Sequence, residues 1–157
     1  MTIDFELNGE NVSIEADGTE RLLDILRERF GLTGVKEGCG EGECGACVVL
    51  MNEKLVNSCL VPLANVDACT ILTIEGLQKK SRHFKSISDA FIEAGAVQCG
   101  FCTPGFVMTT EALLIANPEP DRETIKAHFS GNLCRCTGYN MIFDAVELAS
   151  KTRRNEQ

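Results

Sequence analysis

The stretch from Gly38 to Cys47 constrains the fold of this chain more than any other. It holds three cysteines and four glycines in ten residues, spaced Cys-x4-Cys-x2-Cys, and a fourth cysteine follows after eleven more residues. This is the ligand spacing of a plant-type 2Fe-2S cluster. Glycine suits such a loop because it permits a tightly folded backbone whose N–H groups approach the sulfurs. The predicted ligands are Cys39, Cys44, Cys47 and Cys59.

A structural zinc site and a set of disulfides are the alternatives for this stretch. Zinc sites usually combine two Cys-x2-4-Cys pairs, so an x4 loop, an x2 loop and one distant partner fit iron and sulfur better. Disulfides are rare in the cytosol. No basic segment followed by an apolar one opens the chain, and no apolar run reaches membrane-spanning length. The sequence therefore predicts a cytoplasmic chain without a membrane span, whose cysteines serve as metal ligands.

The overall charge argues against one class of partner. The chain has 157 residues, a formal net charge of -8 and only 15 lysines and arginines. A face that binds nucleic acid needs clustered lysine and arginine to neutralise phosphates. We therefore expect no nucleic-acid partner.

The first half of the chain has the pattern of strands around one helix. Apolar residues alternate in Ile3 to Leu7 and again in Val12 to Glu15, and the Asn8-Gly9 pair between them predicts a β-hairpin. Helical spacing follows from Leu22 to Phe30, with Thr19 as the expected N-cap and Gly31 as the stop. A second hairpin and a last strand are predicted after the cysteine loop, with Cys59 at a strand end; the strands are Val48 to Met51, Leu55 to Ser58 and Thr70 to Ile74. We expect a β-grasp, ferredoxin-like domain over residues 1–76.

The second half has the pattern of helices. Residues 77–85 carry four of the fifteen lysines and arginines, together with His83, and are predicted to be an exposed linker. Four short helices are then expected in a domain over residues 86–157. Thr103-Pro104 and Asp121 mark helix starts, while Gly95 and Gly131 mark ends. The predicted fold class is therefore α+β, a β-grasp domain followed by an all-α four-helix domain.

A second set of cysteines lies in the predicted helical domain, just before two of its helices. Cys99 and Cys102 precede the helix that starts near Pro104, and Cys134 and Cys136 precede the last helix. The N-terminus of a helix favours thiolates, because its free N–H groups and dipole stabilise negative charge and lower the pKa of cysteine. Another 2Fe-2S cluster and a four-sulfur zinc site both fit this spacing, and a redox-active dithiol fits less well because the motif lacks a βαβ context. The ninth cysteine, Cys69, is predicted to be a packing residue.

At these residues the sequence resembles the small iron-sulfur subunit, or domain, of the molybdenum hydroxylases, the xanthine oxidase family. The similarity runs in order along nearly the whole chain and includes all eight predicted ligands. It is carried by the segments VKEGC (35–39), GECGAC (42–47), GAVQCGFCTPG (95–105) and GNLCRCTGY (131–139).

The resemblance implies two 2Fe-2S clusters, one in each domain, which pass single electrons between a molybdopterin centre and a flavin. It implies a molybdopterin-binding large subunit and an FAD-binding medium subunit as partners, since the chain has no dinucleotide-binding motif of its own. It also implies that Gln98 and Cys136 contact the pterin. No catalytic residue is predicted on this chain.

Two other functions remain open from the residues alone. A free-standing two-cluster carrier would be isolated as a monomer, and a zinc-stabilised adaptor would be colourless. Neither the substrate of the large subunit nor the final electron acceptor can be predicted from these residues.

Overall fold

The structure, a computed structural model, describes residues 1–155. The last two residues of the predicted helical domain lie outside this range. The strands of residues 1–155 are β1 (Thr2–Leu7), β2 (Glu10–Glu15), β3 (Val48–Met51), β4 (Lys54–Asn57) and β5 (Thr70–Leu72). The α-helices of the same residues are α1 (Leu22–Asp24), α2 (Ile74–Lys80), α3 (Phe84–Glu93), α4 (Thr103–Ala116), α5 (Arg122–His128) and α6 (Asn140–Asn155).

The five strands form one mixed sheet in the order β2-β1-β5-β3-β4. β1 and β2 pair as the predicted antiparallel hairpin, and their turn residues Asn8 and Gly9 have φ of 51° and 80°. Positive φ at both turn residues matches the twist of the strands, which is why an Asn-Gly pair predicts such a turn. β1 is parallel to β5, and β3 is antiparallel to both β4 and β5. α1 and the helical turn that continues it pack against this sheet. This arrangement confirms the predicted α+β class and the β-grasp fold of the first half.

Both faces of the sheet are covered. Ile3, Phe5 and Val49 pack with α1 and the π-helical turn that continues it (Ile25–Arg29). Val48 and Leu50, which alternate with Val49 on β3, pack instead with the helices of the second half. Successive side chains of a strand point to opposite faces, so the unbroken apolar run of β3 reflects burial on both sides. The helical half therefore rests directly on the sheet.

The segment predicted as an exposed linker differs from the expectation. Helix α2 covers residues 77–80 of it and Leu77 is fully buried, while α3 already begins at Phe84. Lys79, Lys80 and Arg82 are exposed, as predicted. Ile74 and Leu77 are three residues apart and pack on the same side, so this connection is an amphipathic helix. The domain limits of 1–76 and 86–157 stay a prediction.

Several predicted element ends need correction. Arg21, not Thr19, is the N-cap of α1, because the Thr19 hydroxyl instead donates to Asp17 over 2.8 Å. Thr103-Pro104 marks the start of α4, but Thr103, expected at the N-cap before Pro104, is already the first helical residue, and the N-cap residue is Cys102. Asp121 caps α5 as expected and accepts a hydrogen bond of 2.7 Å from the Thr124 N–H.

The four helices α3 to α6 confirm the predicted all-α half. Their core includes Phe106 stacked on Phe129, with ring centroids 5.4 Å apart. A buried ion pair also joins two helices: Arg153 of α6 lies 3.2 Å from Glu111 of α4, and Ser81 donates to the same carboxylate. These contacts fix α4, whose N-terminal end carries part of the second cysteine set.

Candidate iron-sulfur sites

The first four thiols lie on the loop between α1 and β3 and on the turn after β4. Cys39 is exposed, Cys44 is half-buried, and Cys47 and Cys59 are buried. Cys59 belongs to a single 3-10 turn, Ser58–Leu60, and not to a strand end as predicted. Asn57 holds the loop from the end of β4, because its side-chain amide donates to the Gly42 carbonyl over 2.9 Å.

The backbone of this loop directs N–H groups at the sulfurs. The Glu41 and Glu43 N–H groups donate to the Cys39 sulfur over 3.4 and 3.3 Å, and the Ala46 N–H donates to the Cys44 sulfur over 3.5 Å. The bonds from Glu41 and Glu43, of which the one from Glu41 has the larger effect, lower the pKa of Cys39 to about 7. Donors aimed at sulfur stabilise thiolate ligands and tune the potential of a cluster.

The same four thiols converge. The Cys39 side chain interacts with that of Cys44, and the Cys47 side chain interacts with that of Cys59. The negative charge of a Cys39 thiolate also acts on Cys59. Burial raises the pKa of Cys59 to about 11, and its contact with Cys47 adds to the effect. Like-charged thiolates disfavour each other until a cation binds among them. Four gathered thiols with amide donors fit a 2Fe-2S cluster.

The second four thiols come together from two loops that are distant in sequence. Cys102, at the N-terminus of α4, contacts Cys134, while Cys99 contacts Cys136. Burial raises the pKa of Cys102 to about 12, and the contact with Cys99 raises that of Cys136. The donor set again fits a cluster that supplies positive iron among the sulfurs.

Tyr139 organises the second loop and was missed by the sequence analysis. Its hydroxyl accepts a hydrogen bond of 3.0 Å from the Cys134 N–H, and its ring stacks on Phe143 at 6.1 Å. The Thr137 hydroxyl donates to the Cys134 sulfur over 3.1 Å and, against the effect of burial, lowers the pKa of Cys134. The available signal was that the single tyrosine of the chain follows the Cys-x-Cys pair closely.

The two ligand loops touch each other. The Leu133 N–H donates to the Cys44 carbonyl over 2.9 Å, and the Asn132 side-chain amide donates to the Gly45 carbonyl over 3.4 Å. Leu133 is the neighbour of Cys134, so one hydrogen bond joins a residue of the first set to the backbone next to the second.

One edge of the second site is open to solvent. Gln98, Cys99 and Cys136 are exposed. Gln98 adjoins Cys99, whose thiol contacts Cys136, so the two predicted pterin-contact residues share this edge. Exposed apolar side chains accompany them in the same two loops: Val97, Phe101 and Leu133.

The rest of the described chain adds three facts. In residues 1–155, no group of three or more Cys, His, Asp or Glu side chains is arranged to hold a single metal ion. Cys69 belongs to neither thiol set, and its sulfur accepts a hydrogen bond from the Asn52 amide over 3.4 Å. Within the same range no helix has both the length and the apolar character to span a membrane.

Family models match the two halves of the chain separately. Residues 5–73 match a 2Fe-2S iron-sulfur cluster binding domain, and residues 73–147 match a second 2Fe-2S binding domain. Each model contains one of the two thiol sets. Both matches favour iron-sulfur clusters over the zinc and disulfide alternatives.

Relatives of similar length match almost the whole chain. The small FeS subunit of nicotinate dehydrogenase from Eubacterium barkeri is 52% identical, over 95% of this chain and 94% of that protein. The small subunit of nicotine 6-hydroxylase from Paenarthrobacter nicotinovorans is 46% identical, over 93% and 87%.

Solved structures have the same fold. A chain of quinoline 2-oxidoreductase from Pseudomonas putida 86 superposes with a TM-score of 0.89 and 39% identity, over all of this chain and 98% of that one. The aldehyde oxidoreductase of Desulfovibrio desulfuricans superposes with a TM-score of 0.91 and 38% identity, over 99% of this chain but 17% of that longer chain.

Proposed function

Because the chain belongs to the small 2Fe-2S subunits of the molybdenum hydroxylase family, we propose that its eight paired thiols hold the two clusters of an electron path through an oxidoreductase complex. The subunit transfers electrons and does not itself convert substrate. The proposed path runs between a molybdopterin centre on a large partner subunit and FAD on a medium one.

The residues assigned to each cluster follow from the contacts between thiols. Cys39, Cys44, Cys47 and Cys59 would hold the first cluster, and Cys99, Cys102, Cys134 and Cys136 the second. When bound, a 2Fe-2S cluster accepts and releases one electron at a time. The chain supplies the N–H groups of Glu41, Glu43 and Ala46 and the hydroxyl of Thr137, which stabilise negative charge on the sulfurs.

The observation that carries the proposal is the hydrogen bond between the two ligand loops. The Leu133 N–H reaches the Cys44 carbonyl at 2.9 Å, so the backbone beside Cys134 is held against a residue of the first set. A structural role for either metal site would not require the two loops to adjoin. A path for single electrons does, because tunnelling rates fall steeply with distance.

The open edge of the second site is the proposed contact with the pterin. Gln98 has an amide with two donors and one acceptor oxygen, and it is exposed beside Cys99 and Cys136. Exposed apolar residues around polar contacts are typical of a surface that a partner covers. None of the nine cysteines in the described residues forms a disulfide, which fits the proposed cytoplasmic location.

Anaerobic co-purification tests the proposal. We expect the chain, expressed with its native partners, to be isolated in a complex containing molybdenum and FAD, with two distinct 2Fe-2S signals in electron paramagnetic resonance (EPR). Both signals should appear when the partner's substrate is added. A monomer that loads both clusters but binds no partner would instead support the free-standing carrier.

A further inference from the structure

A contact between glycines lies where the two ligand loops meet. Gly105 is in the first turn of α4, three residues after Cys102, and Gly45 follows Cys44. A Cβ atom on Gly105 would lie 2.3 Å from the Gly45 carbonyl oxygen and 3.4 Å from the Ala46 Cα. Backbone atoms cannot rotate away as a side chain can, so any larger residue at 105 must push the first loop off α4.

The first loop also contacts the loop that precedes Cys134. A Cβ atom on Gly45 would lie 2.5 Å from the Gly131 carbonyl oxygen and 2.6 Å from the Asn132 amide nitrogen. The buried Asn132 side chain donates to the Gly45 carbonyl. Gly45 thus contacts both α4 and the loop before Cys134, and the bond from Leu133 to Cys44 adjoins this contact.

Helix energetics do not explain the glycine at 105. Glycine is less favourable than alanine in a helix, and Gly105 has no positive φ that would require it. What requires it is the close approach of another backbone, which is a second reason for glycine at a given position.

We propose that Gly105 is a positioning residue that sets the separation of the two clusters, by letting the Cys44-Gly45 backbone lie directly on α4. This role rests on the proposed function, since it needs both clusters in place. The added methyl of Gly105→Ala would displace the first loop, lengthen the bond from Leu133 to Cys44 and move the first cluster away from the second.

The test compares Gly105→Ala with Gly131→Ala in the purified holo chain. Gly131 belongs to the same contact, but a Cβ there has no atom within 4 Å and its φ is not positive. Both variants should keep full iron content. In Gly105→Ala alone we expect a weaker magnetic interaction between the two reduced clusters in EPR and faster hydrogen exchange in the peptide containing Leu133. Electron transfer between the clusters should slow several-fold, whereas Gly131→Ala should match the wild type.

Each outcome bears on one claim. If Gly105→Ala keeps the wild-type magnetic interaction and exchange rate, Gly105 has no positioning role. If Gly105→Ala loads no iron, Asn132→Ala is used instead, because it adds no atom and removes the hydrogen bond to the Gly45 carbonyl. Hydrogen exchange at Leu133 should also become faster in Asn132→Ala. An exchange rate equal to that of the wild type would overturn the proposal. A wild-type chain without two EPR-active clusters would contradict the proposed function itself.

Discussion

At the scale of single residues, the two thiol sets should be separable by mutation. Cys59→Ser removes a ligand on the turn after β4, away from the hydrogen bond between the loops. We expect this variant to lose the first cluster and keep the second, because Cys59 interacts with Cys47 and Cys39 whereas Cys102 interacts with Cys134 and Cys99. Iron analysis and EPR of the purified chain measure the result.

Cys69→Ser is the matched control for this experiment. Cys69 lies in neither set, so its replacement should leave both clusters and the full iron content in place. Loss of both EPR signals in Cys59→Ser would contradict independent sites.

Gln98 gives a second prediction at this scale. Gln98→Ala should retain both clusters but slow electron transfer from the molybdenum subunit, because the exposed amide next to Cys99 is removed. Gln78→Ala is the control, since Gln78 is an exposed glutamine on α2. Stopped-flow reduction of the clusters by substrate in the assembled complex measures the effect; equal rates in the two variants would count against the pterin contact.

The residues that could be predicted from sequence are those whose chemistry depends on spacing. Ligand spacing within a loop is local, so the thiols could be identified before the fold was known. The roles of Tyr139, Asn132 and Gly105 could not, because each acts on a backbone group brought close only by tertiary packing. A glycine that admits another backbone has no pattern of its own.

At the scale of elements, the ion pair between α4 and α6 is a test of packing. Glu111→Ala leaves the Arg153 guanidinium buried without its carboxylate, which typically costs about 3 kcal/mol or more in unfolding free energy. The side chains of Glu111 and Arg153 are 6% and 9% exposed. Anaerobic urea denaturation followed by circular dichroism measures the loss.

An exposed pair between α6 and the segment that follows α4 provides the comparison. Glu119 lies 3.1 Å from Arg154, but the two side chains are 66% and 42% exposed, so Glu119→Ala should cost less than about 1 kcal/mol. Equal losses in the two variants would show that burial of the first pair is unimportant.

Element type was predictable where the apolar period was long, and failed where charge dominated the pattern. β1 alternates with a period of 2, and α3 and α6 have apolar residues at helical spacing. α4 is apolar on nearly all sides and has no such period, so its prediction depended on the Thr103-Pro104 start signal. In residues 77–85 the run of basic side chains hid α2, whose only fully buried large side chain is Leu77. One large buried side chain in a helix of seven residues does not define an apolar period, so the helix could not be identified without the sheet on which it packs.

At the scale of the whole molecule, the exposed apolar side chains at the open edge of the second site should contribute to assembly with the partner subunit. Phe101→Ser should weaken binding of the molybdenum subunit by about tenfold or more, the range of an aromatic hot spot, while both clusters stay loaded. Ile115→Ser is the control: Ile115 is 61% exposed but lies twelve residues further along α4 from Thr103, about 18 Å at the rise of an α-helix.

Titration of the labelled chain against the isolated partner measures both affinities. If the Phe101→Ser and Ile115→Ser variants bind the partner with equal affinity, the open edge of the second site is not the contact surface.

Exposed thiols in both sets also make the unassembled chain sensitive to oxidation. Cys39, Cys99 and Cys136 face solvent, and accessible thiolates are the ones that dioxygen and peroxide attack first. A partner that covers such sulfurs shields them, so the subunit should survive longest in air once it is assembled. The same exposure that allows contact with a redox partner therefore limits the time for which the newly synthesised chain stays intact before it is assembled.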